Sequence, residues 1–413
     1  MAKTPLLKFT KKGIYCPPAK VYLDPWKPVD KALVTHGHAD HSYWGHKKYI
    51  THFDNVPIIS HRLGDINVQG VAHGESLNIN NVNFSFHPAG HIPGSSQIRV
   101  EHKGEVWVFT GDYKTEDDGI STPYEPVECD TFITECTFGL PAFKWRPQED
   151  VMKDMNEWCA QNHAEGKTSV LFAYSLGKAQ RLIKHLDTSQ MKIFCHGAVF
   201  KMTEVLRELI DFPETTLVTR ETPKEETKGH IIVAPPSAHG SAWMRRFVPY
   251  ATASASGWMT FRGARRRRAI DKGFVLSDHC DWDGLLSSIE ATGCENVITT
   301  HGYQEIFARY LREEKGLNAI SEHTQYEGES LDKKEDADNE EDASDKPQRS
   351  GSLLDPTAKA KPSSQKAPPN PKGGNKKINV SSSVVENDSS SSSGSASSSK
   401  RLSSSGSNSN EKS

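Results

Sequence analysis

One stretch constrains the fold of this chain more than any other. Thr35-His36-Gly37-His38-Ala39-Asp40-His41 follows directly on the apolar run that begins at Ala32. Its imidazoles and carboxylate lie in a glycine-containing loop at a predicted strand end, where they can converge on one point. Neutral imidazole nitrogen and carboxylate oxygen are the ligands that a catalytic zinc ion takes. The same chemistry recurs at other predicted strand ends: His91 in Ala89-Gly90-His91, Asp112 in Thr110-Gly111-Asp112 and His301 in Thr300-His301-Gly302. A rigid sheet can bring such distant ligands together and hold two metals a few ångströms apart. His46, His52, His61, His102, His163, His185 and His323 lack that context and read as core or surface residues.

The remaining pattern agrees with a sheet-based α/β chain. Short β-rich runs punctuated by Gly, Asn, Asp and Pro fill the first 135 residues: 20–23, 32–35, 57–60, 82–87, 96–100 and 106–110. From Pro147 the texture changes. Helical spacing over 148–164, 178–186 and 202–210 alternates with apolar strands at 169–174 and 230–234, which implies a βαβ-type unit over about 141–268. Strand 273–277, helix 283–292, strand 296–300 and helix 304–313 follow.

Composition divides the chain again near residue 329. Hydrophobic residues make up only 35%, and the deficit is concentrated in a C-terminal tail: an acidic block, a Lys/Pro-rich stretch, then serine tracts. Such a segment cannot bury enough apolar area to offset its conformational entropy and is expected to be disordered. The net charge of −3 excludes a globally basic nucleic-acid binder, so any such binding must use a local patch. Seven cysteines without a CxxC pair argue against a disulfide framework and a zinc finger. With no signal-like or membrane-spanning run, the chain reads as soluble and cytoplasmic.

The segment His36–His41 is the HxHxDH signature of the metallo-β-lactamase superfamily, and Asp24, His91 and Asp112 match its other motifs in order. The resemblance implies a four-layer αββα sandwich with its core in 1–140 and 269–328. It also implies two zinc ions, with manganese as an alternative: His36, His38 and His91 on one, Asp40, His41 and His301 on the other, and Asp112 bridging. Ile133-Thr134-Glu135-Cys136-Thr137-Phe138-Gly139 resembles the motif A segment of the β-CASP nucleases, with Glu135 as its acid. Ser277-Asp278-His279-Cys280-Asp281 resembles motif B, making His279 the proton donor, and His301 is then motif C. The unit at 141–268 corresponds to the β-CASP cap domain, leaving 329–413 as the tail. Ser256–Met259 and the arginine-rich stretch 262–279 are most similar to the bacterial ligase-associated DNA exonucleases.

The implied activity is metal-dependent phosphodiester hydrolysis: a DNA exonuclease working beside an ATP-dependent DNA ligase in repair, or an RNA-processing nuclease of the same family. Asp40 and Asp112 would orient the attacking water. Ser175, Lys178 and Ser237, at strand-to-helix turns, are candidate phosphate contacts, as are Arg262, Arg265 and Arg266 in the one dense basic run of the core. Trp243, Trp258 and Phe261 could stack bases or fill the core. A small-ester hydrolase would need neither the inserted unit nor the Glu135/His279 pair. A non-catalytic scaffold would not need every ligand.

Overall fold

The computed structural model describes residues 5–267 and 269–326, without the side chains of 264, 265 and 267. The expected disordered tail lies outside these residues. The described residues form a mixed α/β fold with three sheets. Strands β1 (Lys8–Thr10), β2 (Gly13–Cys16), β3 (Val21–Leu23), β4 (Ala32–Leu33), β5 (Tyr49–His52) and β6 (Val68–Val71) form the first sheet in chain order. Next come β7 (Leu77–Ile79), β8 (Val82–Pro88), β9 (Ser96–His102), β10 (Glu105–Phe109) and β11 (Thr131–Cys136). The third sheet takes β12 (Thr168–Phe172), β13 (Ile193–Cys195), β14 (Thr215–Leu217), β15 (Ile231–Ala234), β16 (Tyr250–Ala255) and β17 (Lys272–Phe274), ordered β14-β13-β15-β12-β16-β17 and wholly parallel. The chain then returns: β18 (Asn296–Gly302) and β19 (Asn318–Ser321) complete the second sheet, ordered β19-β18-β11-β10-β9-β8-β7.

Burial explains these assignments. Along β8, Val82, Phe84 and Phe86 are buried while Asn83 is exposed, the period of two that a one-sided strand requires. Those side chains join Ile14, Leu23, Leu33 and Ile50 of the first sheet and Phe109 and Ile133 of the second in one core. Each fully buried aromatic contributes about 1.5–3 kcal/mol. The other face of the second sheet is covered by α7 (Trp282–Thr292) and α8 (Gln304–Lys315), through Leu285, Ile289, Phe307 and Leu311. The third sheet packs on α2 (Gln148–Ala164), α3 (Lys178–His185) and α4 (Gly197–Leu206), and the single turn α5 (Lys224–Thr227) lies between β14 and β15.

Two elements differ from expectation. Residues 57–60 are not a strand but the middle of α1 (Asn55–Leu63). Local β-propensity lost to packing: Ile58 and Ile59 are buried on one helix side, and Pro57 lies in the first turn, where its missing N–H costs nothing. The helix expected at 202–210 begins earlier, at Gly197, because the His196 side chain caps it by accepting from Ala198 N. Strand β16, Tyr-Ala-Thr-Ala-Ser-Ala, escapes an apolar-run criterion because small residues build it.

Candidate metal centre

The loop after β4 carries His36, His38, Asp40 and His41 and is seated on α1. A Cβ on Gly37 would lie 2.5 Å from Ile58 Cγ2 and 2.9 Å from Asn55 Oδ1, so only glycine permits this approach. His91 lies between β8 and β9, Asp112 just after β10, and His301 near the end of β18. His36, His38, His91 and Asp112 offer ligand atoms all within 4.8 Å of one another, and so do His41, Asp112 and His301. Asp112 belongs to both sets. Asp40 stands at the rim, its Oδ2 4.0 Å from His41 Nε2.

Each imidazole is anchored through one nitrogen and turns the other inward. Thr35 Oγ1 is 3.0 Å from His36 Nδ1. His38 Nε2 donates to Leu176 O at 3.2 Å, and His91 Nδ1 to Asp278 O at 2.7 Å. Asp24 Oδ2 accepts from His41 Nδ1 at 2.7 Å, and Thr300 Oγ1 lies 3.4 Å from His301 Nδ1. Outer hydrogen bonds of this kind fix tautomer and ring orientation at metal sites. The inward atoms His41 Nε2, His301 Nε2 and Asp112 Oδ1 are buried and meet one another: His301 Nε2 lies 2.8 Å and His41 Nε2 3.4 Å from Asp112 Oδ1, without well-formed hydrogen-bond geometry. A polar atom in that condition is costly unless something else meets it, and a divalent cation between these atoms would. The residues fit the metal.

The electrostatics keep two of the rings neutral and charge a third, whose proton a cation would displace. Burial holds His36 well below the usual imidazole range and brings His91 down to about 3, so both are neutral with free lone pairs. Burial opposes ionisation of Asp112, yet His41, His301 and His279 hold its carboxyl well below the usual range. Burial likewise disfavours a charged His41, but Asp112 and Asp40 raise it well above the ordinary value.

Beside this centre lies a second pair. Glu135 Oε1 accepts from His279 Nδ1 at 2.7 Å, and both are buried. Tyr113 N and Thr137 N donate to the two oxygens of the same carboxylate, at 3.1 and 3.2 Å. Asp112, Glu135 and His279 present atoms within 4.8 Å of one another.

No family model matches the chain. The probable DNA ligase of Opitutus terrae is 34% identical over 322 residues, 76% of this chain and 31% of that protein. RNase aCSPSF2 of Saccharolobus solfataricus is 26% identical over 156 residues, 36% of this chain and 31% of its own length. The RNase J-like protein of Methanocaldococcus jannaschii is 24% identical over 220 residues, 45% of this chain and 52% of that protein. The chain belongs to the β-CASP branch of the metallo-β-lactamase superfamily. It spans between about a third and half of the length of these relatives.

The candidate nucleic-acid contacts of this β-CASP protein fall into different environments. Ser237 is exposed in a short 3-10 turn, and Arg262 and Arg266 are exposed on α6 (Arg262–Arg267). The Arg265 side chain is outside the described atoms. Ser175 is half-buried, with its carbonyl taken by Gln180 Nε2. Lys178, expected to face an anion, is turned inward instead. Only 1% exposed, it lies 3.7 Å from Asp278 Oδ2, while Arg181 contacts the other oxygen of that carboxylate at 3.1 Å. Trp243 packs on Phe247 and His196. Trp258 and Phe261 join Phe138, Phe143 and Trp145 in an aromatic cluster, from which Trp145 Nε1 donates to His279 O.

Sequence reasoning missed Tyr326. Its ring stacks on His41 at 4.3 Å between centroids, and its hydroxyl donates to Asp24 O at 2.8 Å. No local signal marks a lone tyrosine so far downstream of its partner.

Proposed function

We propose that this chain is a metal-dependent phosphodiesterase acting on nucleic acid. The observation that carries the reading is Asp112, shared by two inward-facing imidazole sets with the His279–Glu135 pair beside it. Imidazole-rich sets suit zinc better than magnesium, and two ions fit the two sets. Bound there, divalent ions would supply Lewis-acid stabilisation of the charge that builds on a phosphodiester under attack. The protein's own part is positional. Glu135 holds His279 through Nδ1 and orients its ring, whose protonated form would deliver a proton to the leaving oxygen. Asp40, at the rim, orients the attacking water. The third sheet with its helices is the cap inserted into a four-layer sandwich made by the other two sheets. Its α6 arginines, next in sequence to Phe261 of the aromatic cluster, grip the backbone of a strand entering the centre.

The match to a protein named a DNA ligase favours DNA ends as substrate and an ATP-dependent ligase as partner. The two relatives named as RNases favour RNA instead. A digestion panel of end-labelled single- and double-stranded DNA and RNA, with and without chelator, tests both. Chelator-sensitive trimming of DNA ends supports the first reading, and equal or faster RNA cleavage supports the second. No cleavage of any substrate by zinc- or manganese-loaded protein overturns the phosphodiesterase assignment.

A further inference from the structure

Of the seven cysteines, Cys16, Cys136, Cys159, Cys195 and Cys280 are buried in the fold's interior. Burial pushes the Cys16 thiol up to about 11, the Cys159 and Cys195 thiols up to about 12, and those of Cys136 and Cys280 upward as well. Thiols in that condition are poor nucleophiles. Cys129 and Cys294 differ. Cys129 lies two residues before β11 and Cys294 two residues before β18, and those strands pair in parallel from Thr131↔Asn296 onward. Backbone bonds from Cys129 N to Thr292 O and from Asn296 N to Asp130 O tie the two approaches together. Paired strands stand about 4.8 Å apart, within the Cα separation of about 4.4–6.8 Å that a disulfide requires. Interaction between the two neighbouring thiols holds Cys294 below the usual thiol range and Cys129 above it. Cys294 is buried but Cys129 is only half-buried, which leaves the pair open to a small oxidant.

We propose that Cys129 and Cys294 are a thiol–disulfide site, closed by peroxide and reopened by a dithiol reductant. Cys294 thiolate attacks a peroxide oxygen, the O–O bond breaks, and hydroxide leaves, giving a sulfenic acid on Cys294. Cys129 sulfur then attacks that sulfur; the S–S bond forms, the S–O bond breaks, and the departing hydroxide takes the Cys129 proton as water. Two thiols are oxidised by two electrons, and one hydrogen peroxide becomes two waters. The bond ties β11 to β18 at the end away from Glu135 and His301, which lie near the far ends of the same strands. It also clamps the two chain segments that flank the whole third sheet. The site does not depend on the phosphodiesterase reading.

The test uses the full chain. Protein is treated with a few equivalents of hydrogen peroxide, capped with N-ethylmaleimide, digested without reduction and mapped by mass spectrometry. A peptide joining Cys129 to Cys294, abolished by dithiothreitol treatment, is expected. Because the closed loop is long, the oxidised protein should melt about 5 °C or more above the reduced one, and Cys129→Ser should abolish that difference. Recovery of both cysteines capped after peroxide, or oxidation of Cys294 beyond sulfenic acid without a joined peptide, overturns the proposal. If Cys129→Ser does not fold, the wild-type peptide map still decides.

Discussion

Replacing Asp24 by asparagine isolates how the protein aims one ligand. The Asp24 carboxylate is fully buried and accepts from Thr35 N at 2.8 Å, from the Thr35 hydroxyl, and from His41 Nδ1 at 2.7 Å. In Asp24→Asn, the amide oxygen can keep the Thr35 N–H, and the amide nitrogen can donate to the Thr35 hydroxyl oxygen, which still accepts from His36 Nδ1 3.0 Å away. The amide nitrogen, however, meets a ring N–H that cannot turn away. One charge-assisted hydrogen bond disappears, worth about 1.5–3 kcal/mol. His41 escapes the clash only by moving its proton to Nε2, the atom that faces Asp112 at 3.4 Å. That tautomer no longer offers a lone pair to a cation, so metal affinity should fall about 10–100-fold. Urea unfolding should show a lower midpoint with unchanged slope, and metal analysis after dialysis against buffered zinc should show a weakened site. An Asp24→Asn protein with wild-type midpoint and wild-type zinc content would refute the reasoning.

Three other outcomes follow from the same geometry. His279→Ala should retain its metal, because His279 is held by Glu135 rather than placed in either imidazole set, while turnover on a phosphodiester falls about 10²–10⁴-fold; stopped-time gel assays and metal analysis check the two halves. Arg262→Ala/Arg266→Ala should weaken nucleic-acid binding across sequences and reduce the slope of log affinity against log salt by about one for each phosphate no longer neutralised, leaving the cleavage step nearly unchanged; binding titrations over a salt series measure this. Burial brings His46 down to about 4. Its folded value is depressed below the unfolded one, so the stability it gives is present above about pH 6.5 and disappears as pH falls towards about 4. Thermal melts from about pH 7 down to that range should therefore fall less steeply for His46→Gln than for the wild type.

The candidate ligands were legible because metal chemistry compresses into short strings at strand ends. His36, His38, His41, His91, Asp112 and His301, singled out from those strings and from the family resemblance, come together in the fold, and β8 was legible from its alternation. What aims those ligands is written elsewhere. Leu176 O, Asp278 O and the Tyr326 ring act through backbone position or a single distant contact, which leave no composition or spacing to read. Lys178 shows the opposite failure: a lysine at a strand-to-helix turn reads as a phosphate contact, and only the fold reveals the buried Asp278 carboxylate 3.7 Å away. Residues 57–60 misled because a Pro-Ile-Ile run has strand propensity until the loop above requires a helix beneath Gly37.

The positions of these anchors set an order of events during synthesis. A nascent chain presents His36, His38, His41, His91 and Asp112 early, yet the groups that orient three of those rings emerge much later, at Leu176, Asp278 and Tyr326. His301, which closes the second set, also comes late. A ribosome-bound fragment ending before residue 278 would carry most of the donor atoms and the Thr35, Leu176 and Asp24 anchors. It would lack the Asp278 carbonyl that orients His91, the Tyr326 ring against His41, and His301 itself, and would hold metal less tightly. Tight loading therefore belongs to the finished chain, and a nonsense codon anywhere upstream of Tyr326 leaves an incomplete centre however much of the sheet has already formed.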